Sequence, residues 1–318
     1  MKKFIIKTLR FLIPPLVILG IGLFIYVHTI GIENLPALNF SSSYSYNEKI
    51  RFLKNNSITP EVIAVGSSMT LNNLSSEVVT KEFQNNNYLN VSSWGVKTSE
   101  GYKLLKSLYD LNEFKQVISV VNIGDFTKAS KKIDYNFIHH YLTNDDLKTT
   151  YSIARNFDLH YYLKNIDYAN YVRNCNKDYD YLNYDDYGMV KFSTHGFNIK
   201  DERWKNNRLD KVPDIAEYSY LDSIANFCTK NNIEYYVFHS PHRMGLIQEL
   251  NTQENEKFDS HLKKIDRIVS PKHYFVNAND TTWHDALFVD GIHFNETGAK
   301  LFTQYCFDRV KYAAQQKP

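Results

Sequence analysis

A chain of 318 residues can bury one sizeable core and carry a large insertion, and 43% hydrophobic with 23% charged content is ordinary for a globular protein. The formal charge is +2, but Lys2, Lys3, Lys7 and Arg10 all precede the first long apolar run, and setting those four aside turns +2 into −2 for the remainder. This excludes a broad basic face for nucleic acid. Three cysteines (Cys175, Cys228, Cys306) without a C-x-x-C pair exclude a disulfide framework and a cysteine zinc site.

Residues 1–10 form a basic tail, and residues 11–30 are uncharged and about as long as a bilayer core requires. A cleaved signal peptide has a shorter apolar run ending in small residues. Here Tyr26-Val-His-Thr-Ile offers no such site, so the stretch reads as an uncleaved, single-pass anchor. Basic residues before it and none soon after it predict a cytoplasmic N-terminus, with the rest of the chain outside the inner membrane. Residues 31–60 read as a tether, with one short helix around 48–54.

From Glu61 the pattern predicts alternating strands and helices. Strands are expected at 61–65, 88–91, 116–123, 233–239 and 273–276. The expected helices are 75–83, 99–111, 215–230, 254–269 and a final one from Asn295 to Ala313. The fold class is α/β: a three-layer α/β/α domain at 61–318 with a parallel sheet of about five strands. Between Lys131 and Val190 the rhythm breaks, and eleven of the 24 tyrosines gather there. Residues 126–213 are expected to form an inserted, Tyr-rich cap. Its rings suit a carbohydrate-facing surface, or equally an ordinary packed subdomain; both readings stay open.

Ser68 follows the first expected strand in Val62-Ile-Ala-Val-Gly66-Ser67-Ser68, where unpaired backbone N–H groups point outward. A serine there can attack a carbonyl while its own N–H helps to hold the oxyanion. Ser67 is expected to shape the turn. Asp290-Gly-Ile-His293 places an acid three residues before an imidazole, so on a tight turn the carboxylate can fix the tautomer of the ring. Asn295 suits the N-cap of the last helix, and Gly298 permits close packing. After the fourth strand, His242 and Arg243 could bind an anionic sugar or phosphate, and Trp94 and Trp283 could flank the site as sugar platforms. No metal-ligand spacing, G-x-G-x-x-G, Walker A or H-E-x-x-H occurs, and no cofactor is required.

These blocks resemble the SGNH, or GDSL-like, hydrolase superfamily. Gly66-Ser67-Ser68-Met69 is similar to its first block, Gly95 in Val91-Ser-Ser-Trp-Gly95 to its second and Asp290-Gly-Ile-His293 to its fifth. The resemblance implies a flavodoxin-like fold, a Ser68–His293–Asp290 triad and an oxyanion hole of Ser68, Gly95 and Asn122. Two departures stand out: Ser67 replaces an aspartate, and Gly124 in Asn122-Ile-Gly-Asp125 replaces the third-block asparagine. Both resemble a membrane-anchored branch that includes the D-alanyl transfer protein and alginate O-acetylation proteins. That likeness implies an extracytoplasmic esterase or O-acyltransferase acting on a cell-envelope polysaccharide, with a multi-pass membrane acyltransferase as partner. A catalytically silent glycan-binding or scaffolding subunit is the other reading.

Overall fold

The computed structural model describes residues 1–31, 34–144, 155–193 and 198–316. Parts of the expected tether (32–33) and cap (145–154 and 194–197), with Tyr151 among them, and the last two residues lie outside the described residues. Five parallel strands form one sheet in the order β2-β1-β3-β4-β5: β1 is Val62–Ala64, β2 Tyr88–Asn90, β3 Gln116–Val121, β4 Glu234–His239 and β5 Tyr274–Asn277.

Alternate strand residues feed opposite layers, as a pleated strand requires. Ile63, Val117, Tyr235 and Val237 face a core closed by helices Thr98–Tyr109, Ile215–Lys230 and Thr252–Val269. Val62, Ala64, Ile118, Val120, Tyr236 and Phe238 face the other core, closed by Ser76–Phe83 and Glu296–Gln315. The central strands are apolar on both faces, and this is why they read as continuous hydrophobic runs in the sequence. All the expected strands and helices form, within a few residues at their ends.

The first helix, Lys2–Ile30, includes the basic tail as well as the apolar stretch, with Pro14 and Pro15 inside it. Its segment Lys2–Tyr26 holds an 18-residue window of mean hydropathy 2.1 with no part buried, long and apolar enough to cross a membrane.

The tether expectation is corrected. Helix Tyr44–Asn55 sets Tyr46, Ile50 and Leu53 on one face, at i, i+4 and i+7, and buries them in the core. On the same helix Lys49, fully buried, donates to the carbonyls of Asn90 (2.9 Å) and Gly188 (2.6 Å). Glu48 accepts from the amide of Ala37 (2.9 Å) and pairs with Arg51 and Arg173. The folded domain therefore begins near Ala37, and the link after the apolar helix is only a few residues long.

The cap expectation is also refined. Helix Tyr135–Thr143 contributes Phe137 and Ile138 to the main core, so the insertion begins as part of the sandwich. The later part builds a small core of its own from Val172, Leu182, Val190 and Phe192, seated on Leu71 and Val289. Most of the described tyrosines in this stretch pack inward; Tyr168, for example, meets Tyr44 edge-on at 5.1 Å.

Candidate active site

Ser68 opens the short helix Ser68–Asn73, directly beyond β1. Ser67 caps that helix, its hydroxyl accepting from the amide of Met69 (3.1 Å). Gly66 is required at the strand–helix junction, because a Cβ there would lie 2.3 Å from the hydroxyl of Thr70. That hydroxyl bridges the amide and carbonyl of Val120 (2.9 Å each), fixing the helix to β3.

Asp290 and His293 sit on a tight antiparallel turn, closed by a Phe288–Phe294 bridge and by the amide of Val289 donating to His293 O (2.9 Å). The turn brings His293 Nδ1 to 2.7 Å from Asp290 Oδ2, and His293 Nε2 to 2.8 Å from Ser68 Oγ. The second carboxylate oxygen accepts from the amides of Ile292 (2.8 Å) and His293 (2.6 Å). Burial by itself would raise the Asp290 carboxyl; the charge and N–H of His293 and those two amides outweigh it and hold the group below its usual value. Both residues are nearly inaccessible, at 3% and 1% exposure, whereas Ser68 is half-buried and faces a cavity of about 230 Å³.

Trp94, Gly95 and Asn122 line that cavity with Ser68. Gly95 adopts φ +60°, a backbone that side-chain-bearing residues rarely take. Among the described residues, neither the Ser68 nor the Gly95 amide donates to a backbone carbonyl. The Asn122 side-chain oxygen accepts from the amide of Gly124 (3.1 Å), while its Nδ2 is buried with no partner. A buried amide N–H left unpaired is costly, and here it belongs to a residue lining the cavity that Ser68 faces.

Three of the expected substrate contacts are corrected. Trp283 is 6% exposed, packs on Phe294 (5.3 Å) and Phe302 (6.0 Å), and donates from Nε1 to Ala278 O (2.7 Å); it belongs to the core. His242 and Arg243 are buried at the end of β4, beneath the returning insertion. His242 Nε2 meets Asn207 O (2.7 Å), and Arg243 bonds Trp204 O (3.1 Å) and Asp285 (2.8 Å). They brace the insertion instead of lining the Ser68 cavity.

Several residues of the site had no sequence signal. Tyr179 and Phe192, from the insertion, stand edge-on to the His293 ring at 5.5 and 6.2 Å. Lys97, Asp125 and Arg208 also line the cavity. Asn73 ties the two halves together: Nδ2 donates to Ile292 O (3.0 Å) and to Ser240 Oγ (2.8 Å), and Oδ1 accepts from the amide of Phe294 (2.9 Å). The last residue of the Ser68 helix thus grips the peptide on both sides of His293. Replacing Asn73 with alanine orphans a buried carbonyl and a buried amide. It should lower stability by about 3 kcal/mol, seen as a lower unfolding midpoint in detergent.

No protein-family model matches the chain, and no curated protein matches it. Solved structures that resemble it include a candidate platelet activating factor from Streptococcus pneumonia, at 11% identity and TM-score 0.40 over 83% of this chain and 90% of that one. Another is the psychrotrophic esterase EstA from Pseudoalteromonas sp. inhibited by monoethylphosphonate, at 10% identity and TM-score 0.36 over 80% and 98%. A third is a candidate acylhydrolase from Bacteroides fragilis, at 10% identity and TM-score 0.38 over 82% and 95%.

Proposed function

We propose that the chain is a membrane-anchored serine esterase or O-acyltransferase of SGNH type, with its domain outside the cytoplasmic membrane and a cell-envelope polysaccharide as substrate. The observation that carries the chemistry is the unbroken Asp290–His293–Ser68 chain, with contacts of 2.7 and 2.8 Å. Ser68 Oγ attacks the ester carbonyl carbon and passes its proton to His293 Nε2. Asp290 stabilises the imidazolium that results. The oxyanion accepts from the amides of Ser68 and Gly95 and from the unpaired Nδ2 of Asn122.

Collapse of the intermediate breaks the C–O bond to the leaving alkoxide, which takes the proton from His293. A water molecule or a sugar hydroxyl then loses its proton to His293 and attacks the acyl-Ser68 carbonyl, and Ser68 leaves reprotonated. Water makes the protein an esterase, and a sugar hydroxyl makes it a transferase. The apolar N-terminal helix, followed so closely by the folded domain, supports action near the membrane surface; delivery of the acyl group by a multi-pass membrane protein is part of the proposal.

The test is fluorophosphonate labelling of the full chain in detergent, with the adduct mapped by mass spectrometry. The expected adduct sits on Ser68 and is absent from Ser68→Ala and His293→Ala. Folded wild type without an adduct would favour a silent glycan-binding subunit.

A further inference from the structure

We infer that the Ser68 cavity accepts a substrate carrying a negatively charged group, a carboxylate or a phosphate, close to the ester, and that Arg208 is the residue selecting it. The inference rests on the serine reading only for where the ester lies. Two cavities adjoin here: the one at Ser68, and one of about 310 Å³ lined by Tyr179, Arg203, Asn206, Arg208, Asp290 and Ile292. Tyr179, Arg208 and Ile292 line both, so Arg208 stands at the junction.

The Arg208 backbone is left-handed, at φ +62°, an uncommon state for a residue with a side chain. Local hydrogen bonds hold it there. Its amide donates to Asn206 Oδ1 (3.0 Å), its carbonyl accepts from the amide of Lys211 (3.2 Å), and Asn207 caps the amide of Leu209 (3.0 Å). The stem of Arg208 runs over Gly124, where an added Cβ would already touch its Cβ and Cδ at 3.8 Å. A larger side chain at position 124 would compete for the path the arginine takes.

What distinguishes the cations around it from the carboxylates is how few of them are paired. Lys97 and Arg208 line the Ser68 cavity with Asp125 and Asp180, Lys211 there is paired with Asp210 (3.0 Å), and Arg203 lines the neighbouring cavity, its guanidinium stacked 3.5 Å over the Tyr179 ring. Asp125 is engaged by the amide of Asn122 (2.8 Å), and Asp290 by His293. Lys97 spends one N–H on Gly124 O (2.6 Å), leaving two. Among the described residues no ion pair holds Arg203, Arg208 or Lys97. A planar guanidinium with N–H groups to spare beside a partly desolvated cavity is suited to a carboxylate or phosphate.

The experiment uses the full chain in detergent and three acetate esters: 4-acetoxybenzoate, 4-acetoxyphenyl phosphate and the neutral 4-acetoxybenzamide. Arg208→Gln is expected to lower kcat/KM for the preferred anionic ester about tenfold or more beyond its effect on the amide, chiefly through KM. Lys97→Met, on another element, should shift the preference in the same direction. Whichever anion wild type prefers identifies carboxylate or phosphate.

Binding is measured separately by calorimetry on Ser68→Ala, where no acyl transfer occurs. Tighter binding of an anionic ester than of the amide, abolished by adding Arg208→Gln, supports the inference even if wild type never acylates Ser68. Labelling at Ser68 with no charge preference, or equal losses on charged and neutral esters in Arg208→Gln, would overturn this inference alone.

Discussion

Replacing His293 with alanine is expected to lower ester turnover by about a millionfold, the scale on which a serine nucleophile loses its base. Ser68→Ala should cost as much, and the double variant scarcely more, because the two residues act on one proton. A millionfold corresponds to about 8 kcal/mol of transition-state stabilisation. Asp290→Asn keeps the shape of the turn but removes the carboxylate that fixes the tautomer, and a loss of about 10⁴-fold is expected. The measurement is steady-state hydrolysis of a small acetate ester, with folding checked by circular dichroism. Additive losses in the Ser68→Ala, His293→Ala double variant would mean that the residues act separately, and the proposed mechanism would fail.

The second large effect is on acid stability. His239, His242 and His261 gather at the end of β4, at 0%, 2% and 2% exposure, with the His239 and His261 rings 5.2 Å apart. Burial lowers all three, with the neighbouring histidines adding to it for His239 and His261; His261 comes down to about 3. Each is therefore neutral in the folded chain and takes up a proton on unfolding once the pH is below about 6.5. The unfolded state binds more protons in that window, so stability rises with pH and is lost as pH falls from about 6.5 toward the folded values. Each such group adds up to about 1.4 kcal/mol per pH unit between about 6.5 and its own folded value, and His261 does so down to about 3.

Stability should therefore fall steadily as the medium is acidified below about 6.5. His261→Asn can still meet the Tyr218 hydroxyl, which lies 2.7 Å from His261 Nδ1, and should flatten the slope by about 1.4 kcal/mol per pH unit. Denaturation midpoints from pH 7.5 to 4.5 test this, and an unchanged slope in the variant would refute it.

Much of the site was legible because its parts are local. Gly66-Ser67-Ser68 follows a β-branched run, and the acid and base lie three residues apart before a capped helix. The Asn295 side chain does accept from the amide of Gly298 (2.9 Å), as the sequence predicts. Residues whose roles depend on what lies across the fold were not legible. Asn73 closes a helix with no distinguishing spacing, and its oxygen and nitrogen partners Ser240, Ile292 and Phe294 are more than 160 residues away. Trp283 reads as a platform until the aromatic rings that enclose it are assembled.

The alternation of apolar runs with amphipathic stretches already dictates a parallel sheet between helices, because each strand must bury both faces. The long uncharged N-terminal stretch likewise declares a helix fit for a bilayer. Where the domain begins, and what covers Ser68, was decided only in three dimensions. Helix Tyr44–Asn55 joins the core because its buried face finds the sheet's helices, and the insertion folds back to set Tyr179 and Phe192 against His293. Periodicity records that a face is apolar, but which surface will meet it depends on contacts between distant segments that no local pattern contains.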